Sequence, residues 1–184
     1  RRFDRIMIIL EKFGYIKNDL ISESGKMLSK IYGETDLLIA ESIQSGIFNQ
    51  LSAPDLVSVL SCCVYESRNE EVARVPRGEV QNALAVISKL YNKIHEAESD
   101  LSLETMRAPD FGFCWASHKW ASGHSLTSIL KGNDLTVGDF VRSMKQIIDL
   151  LRQLRSAAPD LQIVIDQALT KIDRGVIAYA GTTV

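Results

Sequence analysis

Helical spacing of apolar residues dominates this sequence, and it is clearest in the segment from Gly138 to Leu154. Within this segment the apolar residues recur at intervals of three and four, which places them on one face of an α-helix. They are Phe140, Val141, Met144, Ile147, Ile148, Leu151 and Leu154. The pattern predicts a long helix that commits one face to a hydrophobic core.

Another face of this predicted helix carries a row of polar side chains. Its members are Arg142, Gln146, Asp149 and Gln153, with Lys145 and Arg152 beside them. The first four recur at i, i+4, i+7 and i+11, so the row extends over about three helical turns. A row of this length suits a polymer such as a nucleic-acid strand better than a small molecule. Composition alone, however, favours an ordinary solvated face.

The rest of the chain predicts further helices and one hairpin. The first helix ends at Gly14, and the polar turn Lys17-Asn18-Asp19 then separates two short apolar pairs, which we interpret as a β-hairpin. After Gly33 the strand signals disappear, and cap residues followed by apolar periodicity predict successive helices. One of these runs from Leu56 to about Glu66, and a last one starts at Pro159. The predicted class is therefore all-α, a helical bundle with a small N-terminal hairpin.

Two units are expected within the 184 residues. Residues 1–33 resemble the C-terminal part of a winged-helix module, with its first helices missing, and residues 34–184 form the helical bundle. The 46% of hydrophobic residues suffices for a sizeable core. Because the chain opens on Arg1-Arg2-Phe3 inside a predicted helix, without an initiator Met, we interpret it as a fragment of a longer protein.

Charge, cysteine content and hydropathy narrow the function classes. A net charge of −2 and a pI near 6.0 give no overall basic surface, so any nucleic-acid contact must be a local patch. The three cysteines form no CxxC pair, which argues against a disulfide scaffold or a zinc site and predicts buried, reduced thiols in a cytoplasmic protein. No apolar run approaches the ~20 residues that span a bilayer, so no membrane contact is expected.

Motifs of catalysis are also absent. The sequence has neither a phosphate-binding glycine loop nor a nucleophile elbow. Its histidines stand outside metal-ligand motifs, and none has an obvious carboxylate partner at ligand spacing. We expect structural or surface roles for His95, His118 and His124. Core packing is expected for Trp115 and Trp120, with base stacking as the alternative. No catalytic, metal or cofactor residue is predicted in this chain.

A helix-turn-helix is a rival interpretation of one region. Residues 126–144 predict a helix, a tight turn and a second helix, the arrangement of a DNA-binding module. Any two packed helices joined by a short turn give this pattern, so the signal has little specificity.

Five segments, in the same order along the chain, resemble one family. They are Leu10–Ile16 with Ser24–Lys26 ("LxxLGYI…TxKG"), Asp36–Glu41 with Gly46–Phe48 ("(E/D)LLxxExxxxGxF"), Leu60–Arg68 ("LSxxVxExR"), Trp120–Gly123 ("WAxG") and Gly138–Gln153 ("(G/E)DxVRxxxxxxDLLRQ"). Together they are similar to the DSHCT domain, the C-terminal helical domain of DExH-box RNA helicases of the exosome-associated and superkiller type. The similarity is greatest to the actinobacterial HelY-type branch. Phe13, and Gly25 ahead of Lys26, depart from the family pattern.

The resemblance implies a function for the polar row. In this family the helical domain packs over two RecA-like motor domains, closes a channel around single-stranded RNA, and lines it with one long ratchet helix. The family's contact positions fall on Arg142, Gln146 and Asp149, with Lys145 adjacent, and we add Gln153 as the next residue of the row. Gln146 stands where many relatives carry a basic residue, which implies an amide contact there.

ATP hydrolysis is expected elsewhere in the parent protein. The resemblance places ATP and Mg²⁺ in the motor domains, which this chain lacks, so the fragment itself is not expected to be catalytic. Its expected partners are single-stranded RNA and the motor domains of the same polypeptide. Two alternatives remain open at this point. One is a protein-interaction or ring-closing scaffold without direct RNA contact, and the other is the helix-turn-helix module.

Overall fold

A computed structural model describes residues 1–180, which form ten α-helices, one 3₁₀ turn and one antiparallel hairpin. The predicted all-α class with a small hairpin is confirmed. In chain order the elements are α1 (Arg2–Lys12), β1 (Ile16–Lys17), β2 (Leu20–Ile21), α2 (Glu23–Leu28), α3 (Asp36–Ser45), α4 (Ala53–Ser61), α5 (Glu79–Asp100), α6 (Cys114–Ala121), α7 (Leu126–Leu130), α8 (Val137–Ala157), the 3₁₀ turn (Pro159–Leu161), α9 (Gln162–Ile172) and α10 (Gly175–Ala180).

The short helix α4 lies at the centre of the bundle. It contacts α5, α6, α8 and α9, and seven of its nine residues are buried. A helix that is apolar on all sides has no face left for solvent, which explains its central position. Ser52 starts this helix, because its hydroxyl accepts a hydrogen bond from the backbone N–H of Asp55.

Two serines of α4 satisfy polar groups inside the core. The Ser58 hydroxyl donates to the carbonyl oxygen of Cys114 at 2.6 Å, at the start of α6. The Ser61 hydroxyl donates to the Ser58 carbonyl at 2.6 Å. Buried polar groups are tolerated when they are hydrogen-bonded. The Ser58 bond joins α6 to α4, and the Ser61 bond satisfies its hydroxyl within α4.

The hairpin and its neighbours pack against the bundle. The turn residues Asn18 and Asp19 both have positive φ, at 51° and 62°, and Ile16 pairs with Ile21. Asn and Asp tolerate this conformation, and two consecutive residues of positive φ produce the tight turn of a two-residue hairpin. The buried Tyr15 donates its hydroxyl to the Glu41 carboxylate on α3 at 2.6 Å.

Helix α8 confirms the predicted amphipathic pattern. Thr136 starts it, because its hydroxyl accepts a hydrogen bond from the Asp139 N–H at 3.0 Å. Of the seven residues in the predicted apolar stripe, six are buried and Val141 is half-buried. Phe140 packs edge-on against Phe113 and Trp120, with ring centroids 5.7 and 5.3 Å apart. Edge-to-face packing of this kind adds to the stabilisation from burial alone.

Two predicted helices are shorter than the sequence indicated. The helix predicted to reach Glu66 ends at Ser61, because the chain then turns to give the Cys62 carbonyl to the backbone N–H of Asp110. The last helix is interrupted after Ile172. Trp120 donates its indole N–H to the Ile172 carbonyl at 2.9 Å, and α10 begins at Gly175, which has a φ of +53°.

The domain boundary predicted at residue 33 stays a prediction. Ile9, Tyr15 and Ile31 belong to the same hydrophobic core as the bundle, so residues 1–33 pack directly on residues that follow. Residues 181–184 of the predicted second unit lie outside the described part of the chain. Within residues 1–180 no helix has the combined length and apolar character required to traverse a bilayer.

Replacing Phe140 with Ala is expected to destabilise the fold by about 3–5 kcal/mol, because it removes a fully buried ring and leaves a cavity between Phe113 and Trp120. Urea denaturation measures this loss. The matched control is Val137→Ala on the same helix, whose side chain is 48% exposed and whose replacement should change the free energy of unfolding by less than about 0.5 kcal/mol. Equal effects of the two substitutions would contradict this packing.

The cysteine thiols are expected to resist alkylation in the native protein. Cys62, Cys63 and Cys114 are buried and unpaired by disulfides. Burial raises the pKa of Cys114 to about 11, and the hydrogen bond with Cys63 together with burial raises the pKa of Cys62 well above its usual range. Iodoacetamide at pH 8 should therefore modify the three thiols only after unfolding, as read by intact mass. Rapid native modification would show that these side chains are accessible.

Candidate nucleic-acid interface

The polar row of α8 lies on the surface of the bundle. Arg142, Lys145, Gln146 and Asp149 are exposed, and Gln153 is half-buried. Because the opposite face of α8 packs on α4 and α9, the row lies on the side of the helix that faces away from the core. Four of the five predicted site residues border grooves on this side. Lys145 lines neither of them and lies on the flank of the helix.

One groove lies beside the N-terminal half of the row, and we call it the Arg142 groove. It has a volume of about 360 Å³ and separates α8 from the segment that follows α4. Its walls are Val64, Tyr65, Glu66, Ser67, Arg68, Asp139, Arg142, Ser143 and Gln146.

A second groove of similar volume lies beside the C-terminal half, and we call it the Gln153 groove. It is lined by Tyr32, Gly33, Glu34, Thr35, Ile39, Cys63, Val64, Glu66, Arg107, Gln146, Asp149, Leu150 and Gln153. The two grooves share Val64, Glu66 and Gln146, so they form one track along the polar row. From Asp139 to Gln153 this track follows the helix for roughly 20 Å.

Asp139 organises the cations at one end of the track. Its Oδ1 accepts a hydrogen bond from the Arg142 guanidinium at 2.6 Å and another from the Arg68 guanidinium at 3.0 Å. The carboxylate is only 13% exposed, whereas the two arginine side chains are 63% and 72% exposed. Both guanidinium groups are therefore oriented by one anchored carboxylate while keeping donors for another anion.

Arg107 fixes the wall opposite α8. Its guanidinium donates to the carbonyl oxygens of Cys63 and Tyr65, both at 2.9 Å, and its Nε lies 3.6 Å from the Glu34 carboxylate. The Thr35 hydroxyl donates to the same Cys63 carbonyl at 3.1 Å. These bonds hold the irregular segment after α4 at a set distance from α8 and thereby define the width of the track.

Gln153 already has an intramolecular partner. Its side-chain oxygen accepts a hydrogen bond from the backbone N–H of Tyr32 at 2.8 Å, which ties α8 to the segment after α2. Its amide NH₂ group is the part that a ligand could engage. The Asp149 carboxylate makes no hydrogen bond or ion pair within residues 1–180 and faces the Gln153 groove.

The electrostatics of the track are mixed. Arg68, Arg142 and Arg107 are balanced by Asp139, Asp149, Glu66 and Glu34, most of them within a few ångströms of an arginine or across a groove from one. Such a surface cannot hold a strand by charge alone. Amide and guanidinium donors, with a carboxylate acceptor, suit contacts with bases and sugars that tolerate any sequence.

One pairing near the core was not predicted. His118 Nε2 lies 2.9 Å from Asp55 Oδ1, a partner that no ligand spacing in the sequence indicated. The two residues are 63 positions apart, and only the packing of α6 on α4 brings them together. The pair links two helices, a structural role. Among residues 1–180 no group of three or more His, Cys, Asp or Glu could hold a metal ion.

The helix-turn-helix interpretation gains little from this geometry. Helix α7 has five residues and packs on α6, and α8 buries Phe140 and Met144 within its first turns. A recognition helix instead presents its N-terminal residues to a groove while the preceding helix crosses it.

Comparison with known proteins decides the family. The family profile described as "DSHCT (NUC185) domain" matches residues 18–180. The chain belongs to the DSHCT domain family. It is 33% identical to the probable helicase HelY of Mycobacterium leprae over 97% of this chain and 21% of that protein. It is 26% identical to the human exosome RNA helicase MTR4 over 94% of this chain and 18% of that protein.

A third relative has the same relationship to the chain. The DExH-box ATP-dependent RNA helicase DExH9 of Arabidopsis thaliana is 26% identical over 94% of this chain and 18% of its own length. This DSHCT chain therefore spans about a fifth of the helicases that it matches. The resemblance inferred from the five sequence segments is confirmed, including its similarity to HelY-type helicases.

Replacing Arg107 with Ala is expected to loosen the wall of the track. Two charge-assisted hydrogen bonds are lost and two carbonyl groups lose their donors, which should cost about 1–3 kcal/mol of stability. Hydrogen exchange should become faster in residues 63–68. Arg107→Lys should recover only part of the effect, because an ammonium group cannot replace the guanidinium fork at both carbonyls. The exposed Arg77→Ala is the control, and equal behaviour of the two alanine variants would contradict this role.

Proposed function

We propose that this DSHCT domain is an accessory domain of an ATP-dependent DExH-box RNA helicase and that α8 guides single-stranded RNA through it. The observation that carries the proposal is the two-faced nature of α8. Its apolar face is held by the core, and its polar face borders a track about 20 Å long. Its relatives include proteins named as RNA helicases, and it matches them over nearly its whole length.

Each residue of the row has a distinct role in this proposal. Arg142 donates to phosphate or to a base edge, with its guanidinium oriented by Asp139. Gln146 lies where the two grooves join and can both donate and accept, so it suits any base. Asp149 accepts from a base amino group or a ribose 2′-hydroxyl. Lys145 and the Gln153 NH₂ group contribute from the flank and the end of the row.

The chemistry of ATP belongs elsewhere in this proposal. The motor domains of the same polypeptide bind ATP and Mg²⁺ and hydrolyse ATP, and their closure shifts the strand relative to α8. The polar row then holds the strand between strokes and performs no bond cleavage. In this proposal the parent helicase acts in the cytoplasm.

Contact with the remainder of the polypeptide has its own support. Of the ten exposed large apolar side chains in the described residues, six lie within residues 1–32. They are Phe3, Ile6, Ile8, Leu20, Ile21 and Tyr32. Apolar surface of this kind favours docking to other domains. It is also the observation that favours a ring-closing scaffold, in which the domain organises the channel without touching RNA.

The double substitution of Arg142 and Gln146 by Ala in the full-length helicase tests the proposal. Loss of two hydrogen-bonding groups, at about 0.5–1.5 kcal/mol each, should weaken single-stranded RNA binding roughly tenfold and lower RNA-stimulated ATPase and unwinding. The slope of log affinity against log salt should also fall by about 0.7, because one phosphate contact of Arg142 is lost.

The chain offers a matched control for this experiment. Arg77 and Gln81 are exposed, have the same residue types at the same spacing, and line none of the grooves described here. Their double alanine variant should behave as the wild type. If the Arg142 and Gln146 variant also retains full RNA binding and ATPase stimulation, the scaffold function is correct and direct RNA contact by α8 is not.

A further inference from the structure

We propose that the RNA track does not end at α8 but continues onto a second contact, in which Trp115 stacks on a base and Arg74 and Lys131 bind phosphates. This inference rests on the function proposed above, because it extends the same strand. It assigns a binding role to α6 and to the loop after α4, which lie outside the polar row.

A third groove continues the track at the Asp139 end. We call it the Trp115 groove. It has a volume of about 280 Å³ and shares Ser67 with the Arg142 groove. Its walls come from the loop after α4, from the start of α6 and from the turn between α7 and α8, and they include Arg74, Trp115 and Lys131. A strand that leaves the N-terminal end of α8 would therefore enter this groove next.

The junction between the two grooves is rigidly built. The Asp110 carboxylate accepts hydrogen bonds from the Ser67 N–H at 2.6 Å, the Ser67 hydroxyl at 2.7 Å and the Gly112 N–H at 2.8 Å. A Cβ at Gly112 would lie 2.3 Å from the Ser67 hydroxyl oxygen, so only glycine allows this approach. The passage from one groove to the next is therefore fixed by the fold.

Trp115 differs from the other tryptophan of α6. Trp120 is 2% exposed and satisfies its indole N–H inside the core, whereas Trp115 lies half-buried at the wall of the groove. The Arg74 guanidinium lies over the Trp115 ring at 4.7 Å, and the Lys119 ammonium lies 5.7 Å from the ring centroid. An aromatic face bordered by cations is the arrangement with which proteins bind single strands, through base stacking and phosphate contact.

The charge of its lining residues makes the Trp115 groove better suited to phosphate binding than the rest of the track. The lining of this groove contains two cationic side chains, Arg74 and Lys131, and one acidic side chain, Glu71. Around α8, by contrast, Arg68 and Arg142 share one carboxylate. The lining of the Trp115 groove therefore has an excess of one positive charge, whereas the lining of the Arg142 groove has none, and such an excess favours phosphate contact. Arg74 can move from the indole to a phosphate when a base takes its place on the ring.

An abasic scan in the full-length helicase tests this contact. The probes are single-stranded oligouridine RNAs, each with one abasic nucleotide at a different position from the junction with a duplex. The wild-type protein should bind one of these RNAs about fivefold or more weakly, because one base–aromatic stack is lost. The abasic nucleotide in that RNA should lie outside the nucleotides whose contribution to binding changes in Arg142→Ala. Trp115→Ala should lower the affinity for intact RNA by a similar factor. It should also make the affinity insensitive to an abasic nucleotide at that position, and at no other. Trp115→Phe should keep the sensitivity.

A second variant covers the possibility that Trp115→Ala perturbs the fold. Lys131 is exposed, so Lys131→Ala should leave the melting temperature unchanged and should lower the slope of log affinity against log salt by about 0.7. Arg77→Ala is its control. An unchanged slope for Lys131→Ala, or an abasic profile in Trp115→Ala identical to the wild type, would overturn the proposal.

The two proposals fail in different ways. If Arg142 and Gln146 matter for RNA binding but Trp115 and Lys131 do not, the strand contacts α8 and leaves the domain before the Trp115 groove. If Trp115 and Lys131 matter and the α8 pair does not, the second contact stands, and the guiding role of α8 is wrong.

Discussion

Burial of α4 on all sides is the constraint on which this fold depends. A helix of nine residues with seven of them buried must be surrounded, and α5, α6, α8 and α9 supply the surroundings. Each of them gives one apolar face to α4 and keeps the other for solvent or for a partner. Ser58 of α4 also fixes the position of α6, because its hydroxyl donates a hydrogen bond to the carbonyl of Cys114, the first residue of α6.

The position of α8 follows from the same constraint. Phe140 and Met144 are fully buried, so rotation of the helix about its axis would expose both. Burial of these side chains therefore holds the polar row outward, and the hydrogen bond from the Tyr32 N–H to Gln153 adds to it. Two sets of hydrogen bonds made by arginine side chains then shape the surface beside the row. Asp139 orients Arg68 and Arg142. Arg107 donates hydrogen bonds to the Cys63 and Tyr65 carbonyls and so fixes the chain after α4.

Local sequence pattern was sufficient to predict much of this arrangement. Helical periodicity predicted α8, its buried stripe and its exposed row, because these depend on residues close together in the chain. The short hairpin followed in the same way from Asn18 and Asp19. The assignment of the row to RNA came from family resemblance instead, because periodicity alone does not separate a functional polar face from a solvated one.

What could not be predicted depends on long-range contacts. The bond between Gln153 and the Tyr32 N–H joins residues 121 positions apart, and it removes one acceptor from the predicted row. The early end of α4 and the break after Ile172 are set by Asp110 and Trp120, from other elements. The grooves beside α8 likewise arise from the segment after α4, whose loop sequence has no periodic signal. Their shape is a property of tertiary packing.

The proposed function depends on contact between the polar face of α8 and the RNA strand. A photo-reactive amino acid in place of Gln146, in the full-length helicase bound to single-stranded RNA, tests it most directly. An RNA crosslink is expected at position 146, and none is expected from the same amino acid at the exposed position of Gln81. Absence of a crosslink at 146, or equal crosslinking at both positions, would contradict it.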